Sequence, residues 1–273
     1  LLEKMESLGG TTLFSSLTTP KNGELINWFE TVLKDSEVLI KKGFVADTDS
    51  IMSLSPDVVV IATGSGASKS SLKGSELKHV LTRDQLRSLL QKTRTSKIPQ
   101  EIKKLNQIIL WTAQKLGLLK DMRKIRKLSK FWMPIGRNVV VIGGGLVGME
   151  VSHFLAERNR TVTVIENGPV MATEMAHPRR WRALHQISLS GVKLHNNAEV
   201  IEIKENTVVF SKDGNEFEVP ADSVILAEGI ETNRTMFEQF LESGIETHII
   251  GDAESIGYIQ GAINSGNRVG NLL

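Results

Sequence analysis

Gly143, Gly145, Gly148 and Glu166 are the residues whose types and spacing could do chemistry. They sit in "NVVVIGGGLVGMEVSHFLAERNRTVTVIEN", Asn138 to Asn167. Gly143-Gly144-Gly145-Leu146-Val147-Gly148 matches G-x-G-x-x-G. Gly143 permits the tight turn, Gly145 lets a pyrophosphate approach the backbone, and Gly148 lets a helix pack against a strand. A helix starting near Leu146 and Val147 offers free N–H groups and a positive dipole to phosphates. Glu166 stands where a carboxylate accepts hydrogen bonds from an adenosine ribose, and Asn167-Gly168-Pro169 supplies no arginine for a 2′-phosphate. The chemistry implied is binding of NAD(P)H, with NADH favoured.

The elements that must position these residues are legible around them. Val139 to Ile142 is a β-branched run of the kind found in buried parallel strands. A helical pattern follows through Val151, Phe154 and Leu155, and Thr161 to Ile165 is the next strand, ending in Glu166. Further on, "EVIEIKENTVVFSKDGNEFEVP" (Glu199 to Pro220) alternates as antiparallel strands do, with a turn at Asp213-Gly214.

Other strand ends carry the same small-residue design. The chain opens "LLEKMESLGG", so Glu3 has the position in its unit that Glu166 has in the central one. Gly9-Gly10 then offers bare backbone to a cofactor. "DVVVIATGS" runs a buried strand into Ala62-Thr63-Gly64, "DSVILAEGI" closes with Ala227 and Gly229, and "THIIGDAES" ends in Gly251-Asp252. Asp252 lies before helix-compatible sequence, a place to hydrogen-bond a ribityl hydroxyl while the helix dipole faces a flavin.

In this order the landmarks resemble those of the two-dinucleotide-binding-domain flavoproteins, in which an NAD(P)H domain interrupts an FAD domain. The stretch "MPIGRNVVVIGGGLVGMEVSHFLAERNRTVTVIENG", with "HPRRWRALHQISLSGVKL" after it, is most similar to one group. That group is the C-terminal half of old-yellow-enzyme-type oxidoreductases such as 2,4-dienoyl-CoA reductase and trimethylamine dehydrogenase. The resemblance implies FAD and NADH as cofactors. It also implies an N-terminal barrel partner carrying FMN and an iron–sulfur cluster, outside this chain. The glycine turn that Glu3 requires would lie about 20 residues earlier, so the 273 residues by themselves are expected to bind FAD poorly.

The expected fold is α/β with two Rossmann-like three-layer units. Residues 1–87 are the first part of the FAD domain, 88–135 a basic helical insert, 136–219 the NAD(P)H domain and 220–273 the second part of the FAD domain. The expected activity is hydride transfer from NADH to FAD, with electrons passing onward for enoate- or dienoyl-type reduction. The rival readings are a free-standing NADH:flavin or quinone reductase and a non-enzymatic nucleotide-binding module. Hydride chemistry belongs to the cofactors, and no catalytic side chain is nominated.

Composition narrows the alternatives. There are no cysteines, which excludes a thiol redox pair or thiolate-held cluster within these residues. No apolar run approaches the roughly 18 residues that span a bilayer, no secretory signal is visible, and the expected location is cytoplasmic. The six histidines lack metal-ligand spacing, so no metal site is expected. Gln91 to Trp132 holds twelve Lys or Arg against Glu101 and Asp121, a net +10 that leaves −8 for the rest of the +2 chain. Ile98, Ile102, Leu105, Ile109, Leu116, Leu119 and Met122 recur there at helical spacing. Such a stretch could bind an anionic membrane or nucleic acid. The interrupted apolar stripe and the lack of an aromatic platform favour a helical pair packed on the flavin domain or on a partner subunit, a homo-oligomer among the options. His177-Pro178-Arg179-Arg180 reads as a solvated loop whose arginines could also reach a cofactor phosphate.

Overall fold

The computed structural model describes residues 1–67, 70–82, 85 and 122–273. The apolar stripe from Ile98 to Leu119 lies outside the described residues. The chain forms two compact units. Unit 1 is Leu1–Ser16, Pro20–Ser68 and Ile230–Leu273, and unit 2 is Leu17–Thr19 and Lys69–Gly229.

Unit 1 opens with β1 (Leu2–Glu3), α1 (Gly10–Thr18, all but its last two residues), α2 (Lys21–Lys34), β2 (Lys41–Lys42), α3 (Thr48–Met52), β3 (Val58–Ile61) and β4 (Gly66–Ala67). Its strands form three separate pairs. β1 runs parallel to β2, with Glu3 opposite Lys42. β3 runs parallel to a late strand, Glu246–Ile249, and β4 lies antiparallel to Ile230–Glu231. The core is small: Val59, Ile61 and Phe240 are buried, with Ile51, Met236, Phe237 and Ile245 against them. α2 buries only Ile26.

Unit 2 comprises β5 (Val80–Thr82), α4 (Met122–Leu128), β6 (Asn138–Ile142), α5 (Leu146–Ala156), β7 (Thr161–Ile165), α6 (His177–Leu189), β8 (Lys193–His195), β9 (Ala198–Ile203), β10 (Thr207–Lys212), β11 (Asn215–Pro220) and β12 (Ser223–Leu226). Five strands make one parallel sheet in the order β5-β12-β6-β7-β8. Period-2 alternation explains its layers. Val139, Val141, Val162 and Val164 point to one face, where Met149 and Leu155 of α5 and Ile187 of α6 cover them. Val140, Ile142, Val224 and Leu226 point to the other, against Ile203, Val208 and Phe210 of the β9–β11 meander. Both faces are therefore dry, which is why these strands read as continuous apolar runs. Each such side chain contributes about 1.5–3 kcal/mol when fully buried. The β10–β11 hairpin turns at Asp213 and Gly214, both with positive φ, as the Asp-Gly pair requires.

The chain returns to unit 1 through β13 (Ile230–Glu231), α7 (Thr235–Leu241), β14 (Glu246–Ile249) and α8 (Tyr258–Gly270). The structure divides the chain at places other than 87/88 and 219/220. Val80–Thr82 and Ser223–Leu226, grouped by sequence with the FAD domain, are hydrogen-bonded into the sheet of unit 2. The reason is burial: all four β12 residues are buried, and only a central parallel position next to β6 covers both their faces.

Two histidines of unit 2 give it an acid limb. Burial lowers the pKa of His79, with its hydrogen bond to the Lys204 backbone and the charge of Glu205 opposing. Its buried Nε2 has no partner. Burial, then Lys212 and Lys193, lowers that of His195, whose ring lies 4.9 Å from Phe210. Below the unfolded value of about 6.5 the unfolded chain binds protons that the folded one refuses. Stability is therefore full above that pH and lost as pH falls through it. Melting temperature should drop between about pH 7 and 5, and less steeply in His79→Gln and His195→Gln. An identical slope in wild type and both variants would refute the assignment.

Candidate dinucleotide-binding site

The glycine turn joins β6 to α5 as its spacing demands. Gly143 has φ +102°, and its N–H donates to the Ile165 carbonyl at 2.9 Å, tying the turn to β7. A Cβ at Gly148 would lie 1.9 Å from the Gly143 carbonyl oxygen, so α5 can approach the strand only without one. Gly145 is the N-cap of α5, in extended conformation, with no side chain to cap the helix itself. Leu146 and Val147 form the first turn, and Leu146 packs against the core.

Glu166 leaves the end of β7 and reaches back to the turn. Its carboxylate accepts from the Gly144 N–H at 2.6 Å and the Gly168 N–H at 2.7 Å. The acid thus holds the turn. Two further acids surround it. Glu174 accepts from the Leu146 N–H at 3.2 Å, and Glu228 follows β12 beside Gly143, where a Cβ would meet the Glu228 N–H at 3.1 Å. Desolvation, then the charge of Glu166, pushes the Glu228 carboxyl above its ordinary pKa. Sequence reasoning named neither Glu174 nor Glu228: Glu174 belongs to no motif, and Glu228 sits within "DSVILAEGI" without a signal of its own, so both arrive through the tertiary fold.

Gly229, which the sequence reading grouped with the flavin side, closes unit 2 and follows Glu228 at this turn. Arg179 and Arg180 belong to α6 and not to a loop. Arg179 pairs with Glu150 at 3.3 Å, and Arg180 lies 3.3 Å from the His177 ring.

In unit 1, β3 and β14 are parallel with Ile61 opposite Ile249. Ala62-Thr63-Gly64 and Gly251-Asp252 therefore leave the same carboxyl edge of a parallel pair, where ligands of open α/β sheets bind. Gly64 and Gly251 have positive φ. The Gly251 N–H donates to Ser265 Oγ at 2.8 Å, and Asp252 Oδ1 accepts from the N–H groups of Gly257 and Tyr258, both at 2.9 Å. Asp252 thus satisfies the first N–H groups of α8, whose N-cap residue is Gly257. Tyr258 has φ +55°, a conformation bulky residues hold only when their surroundings impose it, and the Asp252 carboxylate is one such restraint. Glu3 turns back on its own loop, accepting from the Met5 N–H at 2.8 Å. Gly9 has φ +103°, and a Cβ there would lie 2.8 Å from Ile26 Cδ1. It serves close packing on α2, with Gly10 opening α1 beside it. The β1–β2 and β3–β14 pairs belong to different sheets.

A glycine turn between a parallel strand and a helix, closed by an acid from the next strand, defines a dinucleotide-binding α/β protein. The chain belongs to the pyridine nucleotide-disulphide oxidoreductase family, whose description matches residues 24–254. It is thus a domain of the FAD- and NAD(P)H-dependent oxidoreductase type, and without cysteines it carries no disulphide of its own. An NADH oxidase from Thermoanaerobacter brockii is 30% identical over 98% of this chain and 36% of its own length. A bilirubin reductase from Mediterraneibacter gnavus (strain CC55_001C) is 26% identical over 100% of this chain and 36% of its own. The chain therefore spans about a third of the length of these relatives. A 2-naphthoyl-CoA reductase structure superposes with a TM-score of 0.77 at 22% identity, over 98% of this chain and 35% of that one, a likeness of fold. Among the described residues no helix is long and apolar enough to cross a membrane.

Proposed function

We propose that the chain is the dinucleotide-handling part of a larger cytoplasmic flavin oxidoreductase. NADH occupies unit 2 at Gly143, Gly145, Leu146, Val147, Gly148 and Glu166, and FAD occupies unit 1 at Glu3, Gly9, Gly10, Ala62, Thr63, Gly64, Gly251 and Asp252. The observation that carries the reading is Glu166, an acid at the end of β7 hydrogen-bonded to the glycine turn. When bound, the two cofactors supply hydride transfer from nicotinamide to flavin. The residues of the chain would bind and orient them: the α5 N–H groups would hold the pyrophosphate, Glu166 the adenosine ribose, and Asp252 the ribityl chain. An FMN and iron–sulfur barrel outside these residues would take the electrons onward, for reduction of enoate- or dienoyl-type substrates. The reductase names among the relatives support that direction. A second reading, oxidation of NADH with oxygen as acceptor, is favoured by the name of the 30% identical relative. Stoichiometric oxygen consumption would select it.

Nucleotide preference tests the site. NADH should bind and react at least about tenfold better than NADPH, because the Glu166 carboxylate repels a 2′-phosphate and no arginine follows it. Glu166→Ala should erode the preference while weakening NADH, since Gly144 and Gly168 lose their acceptor. A tenfold preference for NADPH in wild-type kinetics would sink the assignment.

The flavin side is tested at Asp252. Losing a hydrogen bond to a charged group costs about 1.5–3 kcal/mol, so FAD affinity should fall roughly 10- to 150-fold in Asp252→Ala, compared in a protein extended upstream of Leu1. Asp252→Asn keeps an acceptor for the first N–H groups of α8 and should fall less. NADH affinity should be unchanged in both. Weaker NADH with FAD affinity intact would reverse the assignment of the two units.

A further inference from the structure

The N-terminus of α5 already faces an anion. Glu174 Oε2 accepts the Leu146 N–H at 3.2 Å. Its other oxygen lies 2.7 Å from where a Cβ of Gly145 would be. The space that glycine leaves beside the helix end is thus filled by a carboxylate of the same unit. The segment bearing it is firmly seated. Met171, Ala172 and Met175 are buried, the Ala172 N–H donates to the Gly144 carbonyl at 2.7 Å, and the Met175 N–H to Ala172 at 3.0 Å. Ala172 even accepts φ +53° to make this path. Thr173 and Glu174 between them are exposed, so the Glu174 side chain can leave the turn by rotation alone while the backbone stays fixed.

We infer that Glu174 is an internal stand-in for the pyrophosphate: it caps α5 in the free protein and must be displaced when a dinucleotide binds. The inference rests on the assignment of NADH to Gly143–Gly148. Physically, a carboxylate at a helix N-terminus satisfies an orphan N–H and the dipole. With the Glu166 carboxylate on the other side of the turn, it adds negative charge where, on that assignment, the phosphates would come. Only the fraction of molecules with Glu174 swung out is competent, and the apparent dissociation constant rises by that fraction. Glu174 therefore sets how weakly the nucleotide is held, and so eases its release.

The test is titration calorimetry of NADH, ADP-ribose and adenosine into the 273-residue chain, as wild type, Glu174→Gln and Glu174→Ala, with melting of each free protein. In Glu174→Ala, NADH and ADP-ribose should bind about three- to tenfold tighter, and in Glu174→Gln by a smaller factor in the same direction. Adenosine, which lacks phosphates, should be unaffected. The free Glu174→Ala protein should melt about 1–4 °C lower, because α5 has lost its cap. Tighter binding with a less stable free protein is a combination that a ligand-contacting residue does not produce. Unchanged or weaker NADH binding in Glu174→Ala overturns the inference and leaves the site assignment standing. If wild type and both variants melt cooperatively yet none binds NADH, the assignment of the turn falls and the inference with it.

Discussion

Gly148→Ala is expected to abolish NADH binding and to destabilise unit 2. The added Cβ would lie 1.9 Å from the Gly143 carbonyl oxygen, with the Gly143 carbonyl carbon at 3.0 Å and the Ala227 Cβ at 3.3 Å. The nearest partners are backbone atoms of a turn that Glu166 and Ile165 hold in place, so no rotamer change relieves the clash. α5 must retreat from β6, and its first N–H groups move away from the phosphates. Losing two hydrogen bonds to a charged ligand, at about 1.5–3 kcal/mol each, weakens binding more than about 100-fold. Overpacking adds about 1–3 kcal/mol of instability. Calorimetric titration with NADH, after confirming that the variant still melts cooperatively, is the check. Near-wild-type affinity would show that the dinucleotide does not use this turn.

Arg158→Ala should destabilise unit 2 about as severely as any point change in it, by roughly 3–5 kcal/mol. The guanidinium side chain is fully buried beyond the end of α5. Its Nε donates to Ser129 Oγ at 2.8 Å, Nη1 to the Phe154 carbonyl at 2.7 Å, and Nη2 to the Arg126 carbonyl at 3.2 Å. Glu157 pairs with it at 3.3 Å, and the Phe154 ring lies 3.4 Å beneath it. Burial, then the like charge of Arg126, lowers its pKa. Truncation leaves a cavity and takes the guanidinium donor from Ser129 Oγ and the Phe154 carbonyl, while the Arg126 carbonyl keeps the Ser129 hydroxyl, in a place water reaches poorly. Arg158→Lys restores one donor and the charge but not the fork, and should fall between. Denaturant unfolding with a loss below about 1 kcal/mol in Arg158→Ala would show that the network is dispensable.

The central βαβ unit was legible because its signals are local. Three glycines at fixed offsets, a β-branched run on either side and an acid closing the second strand fix the turn with few contacts from elsewhere. The Asp213-Gly214 hairpin was legible for the same reason. What local pattern could not show was membership of a sheet. "DVVVIATGS" and "DSVILAEGI" look alike, yet the first pairs with β14 in unit 1 and the second with β6 in unit 2. Parallel pairing joins distant segments, so no short window carries it. Charged residues were the other blind spot. Arg158 follows a helix and reads as surface, but Ser129 and Arg126 fold over it. Glu174 reads as one more loop acid, and only the burial of Met171, Ala172 and Met175 aims it at α5. Asp252 stands where the pattern put it, but its carboxylate also holds the first N–H groups of α8.

On the proposed reading, NADH held by unit 2 reduces a flavin held by unit 1. Anaerobic mixing of NADH with the FAD-loaded protein, extended upstream of Leu1, followed through the visible flavin band, is the direct test. The flavin should bleach in a reaction that saturates with NADH at the affinity found by titration, runs at least about tenfold slower with NADPH, and disappears in Gly148→Ala. A flavin that stays oxidised while both nucleotides are bound would contradict it.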